Sequence, residues 1–470
     1  MNRIWLQSAW CVGWLALAVG CGAPGNKAHL GKVTAPPVFS TSTAAPEAQR
    51  DGWLEDFEDE QLPKLVAEAQ QNNFDLMIAA TRLVAARGTA QMDNAARLPT
   101  VSSDFNAARN KRVSTAGFRL TNPKTDTFDV GLDFAWELDL WGRLANRGRA
   151  AYATVEAAQA DFVAAQFSLA ANTSKAWFRL VEAELQERLA RAAWESFQRN
   201  LEIVEERFQR GVTTALDVRL TRASVKSSES TMKLRQRERS EAARALEVLL
   251  GRYPANGLVV PERLPTIGRP VPVGLPSELL QRRPDLIAAE RRLAAADERF
   301  KDAEKNRFPT LRLTASGGTS SAALEDLLKP QQNVWRLAAG LVQPLFQGGR
   351  LKGERLRADA QLQEQIAIYS RAVLGAFQEV ENALTNEALL REQEEALRAA
   401  AEESRAAEAI AWEQYGRGLV DIITVLESQR RNVTAASSLH TVARVRLQNR
   451  VDLHLALGGD FSPPVEVASN

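Results

Sequence analysis

The sequence predicts a mainly α-helical protein that is internally duplicated and carries a small β-strand sector in each copy. Two observations predict this fold. The same short landmarks occur twice, in the same order and at a nearly constant spacing. Each copy also contains a very long helical stretch next to segments that alternate between apolar and polar residues, which is the pattern of a strand with two different faces.

The duplication is visible in five matched pairs of segments. Their central residues are Asp75 and Asp285, Pro99 and Pro309, Arg143 and Arg350, Gly211 and Gly418, and Gly251 and Gly458. The spacing is far longer than the 20 to 50 residues of a solenoid repeat, so each copy is one large unit. We predict the first copy over 51–253 and the second over 277–460, with a Pro- and Gly-rich linker at 254–276 and a C-terminal tail at 461–470.

Each copy reads as a helix, a strand pair, a very long helix, a turn and a shorter helix. The helices are predicted at 61–96, 142–210 and 215–250 in the first copy, and at 277–306, 349–415 and 421–457 in the second. The long helices lack proline and space their apolar residues by three and four, which is typical of an antiparallel coiled coil. At about 1.5 Å per residue, each is on the order of 100 Å long.

The clearest strand runs from Phe128 to Leu140 and has one wholly apolar face. Its other face carries four acids: Asp129, Asp133, Glu137 and Asp139. This pattern fits a transmembrane barrel strand, with the acids predicted to line the lumen. The alternatives are a soluble sheet with one buried face, and acids that simply form the solvated face of a strand. Weaker strands are predicted at 100–109, 310–316 and 334–346. Since four strands cannot close a barrel in lipid, the membrane interpretation requires several copies of the chain.

The N-terminus is predicted to be a secretion signal at 1–20 that ends at Cys21. Small residues before this cysteine favour lipidation of Cys21 after cleavage, although the usual Leu three residues earlier is Ala18. Residues 21–50 then read as an extended tether rich in Pro, Gly and Ser. The alternative is an ordinary signal peptide with an incidental cysteine.

Other function classes find no support in the sequence. The net charge of +1 does not predict a nucleic-acid partner. The three histidines are widely separated, with no cysteine near His440 or His454, so no metal site is predicted. Phosphate-binding loops and nucleophile motifs are also missing from the sequence. We therefore predict that the chain is not an enzyme and takes no cofactor.

Several motifs resemble those of the TolC-type outer-membrane efflux family, and the N-terminus resembles its lipoprotein (OprM- and NodT-like) branch. They are the paired helix starts at Asp75 and Asp285, the Leu98-Pro99 and Phe308-Pro309 strand entries, and the segments 139–143, 344–350 and 414–426. The resemblance implies a homotrimer with a twelve-stranded barrel in the bacterial outer membrane and a helical tunnel through the periplasm. It also implies a periplasmic adaptor and an inner-membrane pump as partners, and small molecules as cargo. Protein secretion and a pore-less coiled-coil spacer are the alternatives.

The resemblance also indicates a gate at the periplasmic tip. Gly211 and Gly418 are predicted in the two hairpin turns, where a positive φ is easiest for glycine. Asp421 is placed near the constriction, and Asp217 is its counterpart, although not in perfect register. Arg210 and Arg417 precede the glycines and are expected to link helix ends or contact the adaptor. The alternatives are a helix cap for Asp421 and a favourable helix-dipole charge for the arginines.

Overall fold

The structure is a computed structural model that describes residues 52–111, 114–116, 119–121, 124–268 and 279–459. The predicted signal, the tether with Cys21 and the C-terminal tail lie outside the described residues. The eight α-helices of the described part are α1 Leu62–Asn72, α2 Phe74–Ala95, α3 Arg143–Gln209, α4 Ala215–Leu249, α5 Leu279–Arg282, α6 Pro284–Lys305, α7 Arg350–Gly416 and α8 Ile422–Ala456. Within these ranges, none of the helices combines the length and apolar character needed to cross a lipid bilayer.

The first predicted helix of each copy is two helices in the structure. The chain leaves helical geometry at Asn73 in the first copy and at Arg283 in the second. The Asn73 side chain accepts hydrogen bonds from the backbone N–H groups of Asp75 and Leu76, which caps α2 and explains the break. It also donates to the Leu249 carbonyl at 3.0 Å. Arg283 makes the equivalent contact in the second copy by donating to the Ala456 carbonyl at 3.3 Å.

Four strands form one antiparallel sheet in the order β1-β4-β5-β6, and β2 and β3 form a separate pair between β1 and β4. The strands are β1 Thr100–Lys111, β2 Ser114–Ala116, β3 Arg119–Thr121, β4 Lys124–Leu138, β5 Thr310–Ser321 and β6 Asn333–Val342. The β4–β5 pairing joins the two copies. β6 ends earlier than predicted, just before Pro344, which has no N–H group to donate to a ladder.

The sheet has one apolar and one polar face, as the period-two pattern predicts. Register pairs Phe105 with Val130, and Ala315 with both Phe134 and Leu337, and all five residues lie on the apolar face. Large side chains on this face stay uncovered: Leu132 is 58% exposed and Trp335 is 83% exposed. A single chain therefore leaves an apolar sheet face in contact with its surroundings.

The main hydrophobic core surrounds the middle of α3. Trp177, Phe178 and Leu180 on this helix are fully buried. They lie in one cluster with Leu246 of α4, Val451 of α8 and the short helical segment Trp53–Asp56. The Trp177 indole donates to Asp59 at 2.7 Å. The α3–α4 and α7–α8 pairs are antiparallel hairpins, and α3 also packs against α6 and α8 of the second copy.

Candidate functional site at the helical tip

The two hairpin turns at the tip have the same backbone geometry. Gly211 and Gly418 both have a φ of 73°, as the sequence predicts for these turns. In the first turn, Gly211 N–H donates to the Phe208 carbonyl and Val212 N–H donates to the Arg207 carbonyl. Gly418 and Leu419 donate in the same pattern to the second long helix. This is the Schellman arrangement, which satisfies the last carbonyls of a helix and needs a left-handed residue.

The helices after the turns begin with the same two residue types in exchanged positions. Thr214 caps α4, and the Asp217 carboxylate accepts a hydrogen bond from Thr214 N–H at 2.9 Å. Asp421 caps α8 by accepting from Thr424 N–H at 2.8 Å. Asp421 is therefore equivalent to Thr214, and Asp217 is equivalent to Thr424. This exchange explains why the two aspartates are out of register by three residues. In the sequence it is visible as a Thr-x-x-Asp pattern in the first copy and an Asp-x-x-Thr pattern in the second.

Both tip carboxylates are held in their charged form. Hydrogen bonds from the Thr213 hydroxyl and from Thr214 lower the pKa of Asp217 below its ordinary value. The side chain and backbone N–H of Thr424 lower the pKa of Asp421 in the same way, although the negative charge of Asp217 acts against this shift. Asp421 is therefore a helix cap in the structure and is also an exposed negative charge at the tip.

Arg210 and Arg417 form equivalent ion pairs within their own helices. Arg210 pairs with Glu206, and Arg417 pairs with Glu413 at 2.5 Å. Both arginines are about two-thirds exposed, at 69% and 68%. Each pair spans one helical turn, so these contacts strengthen a helix end and do not join the two hairpins.

A contact that sequence analysis missed joins the two hairpins. The Arg207 guanidinium of α3 lies over the Tyr415 ring of α7, 4.4 Å from its centroid, and donates to the Tyr415 carbonyl at 3.1 Å. Tyr415 is buried in a cluster with Val204, Ile422 and Val425, and this burial raises its pKa. No periodicity signals the pair, because the partners lie on helices that are distant in sequence.

The four strand acids are not equivalent. Asp129, Asp133 and Glu137 lie on the polar face of β4. Glu137 accepts from Arg143 at 2.7 Å, at the start of α3. Asp139 lies one residue beyond β4, which corrects its expected place within the strand. Its carboxylate accepts from the backbone N–H groups of Leu144 and Ala145 at 3.1 and 2.7 Å, so it caps α3. Among the described residues, no cluster of acids, histidines or cysteines could hold a metal ion.

Comparison with known proteins assigns the family. A family model described as outer membrane efflux protein matches residues 65–252 and 275–459. The pyoverdine export outer membrane protein OpmQ of Pseudomonas aeruginosa is 31% identical, over 87% of each chain. The probable outer membrane lipoprotein SilC of Salmonella typhimurium is 28% identical, over 90% of this chain and 91% of its own. The solved outer-membrane channel OprN matches with a TM-score of 0.84 at 30% identity, over 92% of this chain and 98% of its own. The chain therefore belongs to the outer membrane efflux protein family.

Proposed function

We propose that three copies of this chain close a twelve-stranded barrel in the outer membrane and continue below it as a helical tunnel. The channel exports small molecules that a periplasmic adaptor and an inner-membrane pump deliver to its tip. Cys21 carries the lipid that anchors each copy to the same membrane. The similarity to OpmQ, a pyoverdine export outer membrane protein, supports small-molecule cargo over protein secretion.

The observation that carries this proposal is the four-stranded sheet with two free edges. In the described chain, β1 and β6 each pair on one side only. Open edges and an uncovered apolar face are both unstable in isolation, and lipid tolerates no open edge. Joining β6 of one copy to β1 of the next removes all edges when the ring closes. The apolar face then meets lipid and the polar face, with Asp129 and Asp133, lines water.

The proposed gate is the tip. Three copies place three Asp421 and three Asp217 carboxylates around one axis, and like charges at close range favour cations there. The Arg207–Tyr415 contact, near these carboxylates, holds the two hairpins of each chain together. Leu216, Leu419 and Ile423 remain exposed at the tip and offer the adaptor an apolar contact.

Single-channel conductance of the purified full-length protein in planar bilayers tests the proposal. Discrete conductance steps are expected, because each closed barrel that inserts into the bilayer adds one small unit of current, limited by its constricted tip. A heat-unfolded sample is the control. Folded oligomers that give no conductance would contradict the channel proposal and would favour the alternative of a pore-less coiled-coil spacer.

A further inference from the structure

The segment 53–59, which we call the strap, links the two repeats of the chain before α1 begins. Phe57 of the strap packs against Phe178 of α3, with ring centroids 5.1 Å apart. Trp53 packs against His454 of α8, with ring centroids 5.7 Å apart. Both strap aromatics are buried. The strap therefore lies between a helix of the first repeat and a helix of the second.

The contacts of the strap with the first repeat and the linker use donors that do not titrate near neutral pH. The Trp177 indole of α3 donates to the Asp59 carboxylate at 2.7 Å. The backbone N–H of Gly268, in the linker, donates to the Asp56 carbonyl at 3.0 Å. Indole and peptide N–H groups keep their protons throughout the physiological range. This part of the attachment therefore does not depend on a proton that the protein gains or loses.

The contact of the strap with the second repeat is different, because it is an ion pair with a histidine. Nε2 of His454 lies 3.0 Å from Oδ2 of Asp56, and the two side chains are only 6% and 16% exposed. Among the described residues, this nitrogen has no partner in hydrogen-bond geometry. The contact is therefore favourable chiefly through opposite charges, and a histidine is charged only when it is protonated.

The surroundings of His454 leave Asp56 as the partner for its charge. The other charged groups near this end of α8 are paired with residues outside the strap: Arg450 with Glu387, and Asp452 with Lys175. The α3 residues of the same core, Trp177 and Phe178, carry no charge. His454 also lies in the last turn of α8, where the helix dipole favours a positive charge. A buried charge is costly unless it is paired, and Asp56 supplies the pair.

The first repeat holds a chain segment at the equivalent position without a histidine. Helix bounds match at a spacing of 207 residues from α4 to α8, so Glu247 is equivalent to His454. Glu247 is buried and accepts from the backbone N–H groups of Asn256 and Gly257 at 2.7 and 2.8 Å. The last turn of each shorter helix thus holds a passing segment, the linker at α4 and the strap at α8. Only at α8 is the holding group a histidine.

We infer that His454 and the strap form a proton-dependent clasp, in which protonation of His454 fastens the strap to the second repeat and loss of that proton loosens it. A proton that is bound more tightly in the fastened form stabilises this form at low pH, and its contribution is lost as pH rises. Histidine is the side chain type whose charge ordinarily changes between about pH 5 and pH 8. The clasp goes beyond the proposed channel, since it lies within one chain. With a lipid on Cys21, it couples the anchor to the second repeat.

Hydrogen–deuterium exchange of the full-length protein in detergent tests the clasp. Peptides that contain the strap are followed by mass spectrometry at about pH 5.5 and about pH 8, near the two ends of the histidine range, with correction for the intrinsic effect of pH on exchange. Protection of the strap should be roughly fivefold greater at the lower pH, as expected for one charged pair. Peptides around Trp177 should keep their protection. Equal protection of the strap at both pH values would overturn the clasp.

Two variants assign the pH response to the ion pair. His454→Gln keeps a polar side chain that does not titrate, and should show the lower protection at both pH values. Asp56→Asn removes the charge of the partner and should do the same, and the double variant should add nothing further. A pH response of the strap that survives His454→Gln would contradict the assignment.

His440→Gln is the matched control, since it removes another histidine of α8 that has no described contact with the strap. It should keep the wild-type response, and loss of the response in this variant would contradict the clasp. The native mass of each variant keeps the two proposals apart. Intact trimers without a pH response of the strap would overturn the clasp alone. Absence of trimers would contradict the channel, whereas the exchange of the strap would still decide the clasp.

Discussion

The two long helices α3 and α7 have the same length and the same turns but very different surroundings. Each contains 67 residues and ends in a Schellman turn. α3 contributes 24 buried residues, whereas α7 contributes seven. Val373, Ala376, Val380 and Ala383 of α7, which are spaced by three and four residues, are buried within the chain. Most other residues of α7 are exposed or only half-buried within the described chain.

The difference in burial between these equivalent helices indicates which surface of the chain is available for contact with another chain. The same apolar spacing makes both segments long helices. However, α3 packs between the first and second repeats of the chain, whereas α7 lies at the outer side of the second repeat. In the proposed trimer, a neighbouring chain would supply the burial that α7 lacks. The tip differs less: its turns are identical and only the cap residues are exchanged.

The largest expected contrast between the two helices lies in their centres. Trp177→Ala removes a fully buried indole and its bond to Asp59, and should cost about 3–5 kcal/mol of stability. Leu384→Ala at the equivalent position of α7 should cost less, because this side chain is only partly buried. Thermal unfolding in detergent, followed by circular dichroism, measures both. Equal shifts of the two midpoints would contradict the asymmetry.

A smaller contrast is expected at the tip. Arg207→Ala removes the contact between the hairpins, worth about 0.5–2 kcal/mol for a cation over an aromatic ring. The tip should loosen and single-channel conductance should rise. Gln414→Ala, the equivalent change in the second copy, should leave conductance unchanged, and Tyr415→Phe should keep the ring contact. A rise with Gln414→Ala as large as with Arg207→Ala would argue against a specific role of this contact.

The exchanged caps allow charge to be separated from helix capping at the proposed gate. Asp421→Asn keeps a good cap but removes the charge, whereas Asp421→Ala removes both. If the charge constricts the channel, both variants should reduce cation selectivity and change conductance, while Thr214→Ala, which removes the equivalent cap, should not. Planar-bilayer recordings in asymmetric salt measure this. An effect of Asp421→Ala and Thr214→Ala alone would leave Asp421 only its capping role.

The smallest effect is expected from pH. The pKa values of Asp217 and Asp421 are lowered in the folded chain. Their negative charge is therefore fully present above the ordinary value of 3.8 and is lost as pH falls through the lower folded values. Conductance should therefore be constant from about pH 8 to pH 5. It should change only below the ordinary value, and the double variant with Asn at both positions should remove that change. A transition near neutral pH would point to other groups.

Much of the fold follows from local signals in the sequence. Glycine marks the ends of the long helices α3 and α7, and Pro99 and Pro309 follow α2 and α6, so these helix ends were predicted to within one residue. Glycine readily adopts a left-handed turn, and proline disfavours helical geometry in the residue before it. Apolar spacing continues across Asn73 and Arg283 and does not predict the breaks there, although the family resemblance gave helix starts at Asp75 and Asp285, and Pro284 is itself a signal for a helix start. The early end of β6 was missed because its apolar alternation runs on past Pro344.

The site was less predictable, because it depends on contacts between distant segments. The positive φ of Gly211 and Gly418 follows from residue type alone. The Arg207–Tyr415 contact and the His454–Asp56 contact join residues more than two hundred positions apart, so no local pattern reveals them. Asp139 alternates with the strand acids, but the helix that starts four residues later, at Arg143, determines its contacts.

The most direct test of the account is the mass of the intact protein, extracted from outer membranes in detergent and measured by native mass spectrometry. The account predicts a mass three times that of the mature, lipidated chain. Three four-stranded sheets then close one barrel, and the neighbouring chains cover the free face of α7. A stable monomer or dimer would leave sheet edges open in lipid and would contradict it.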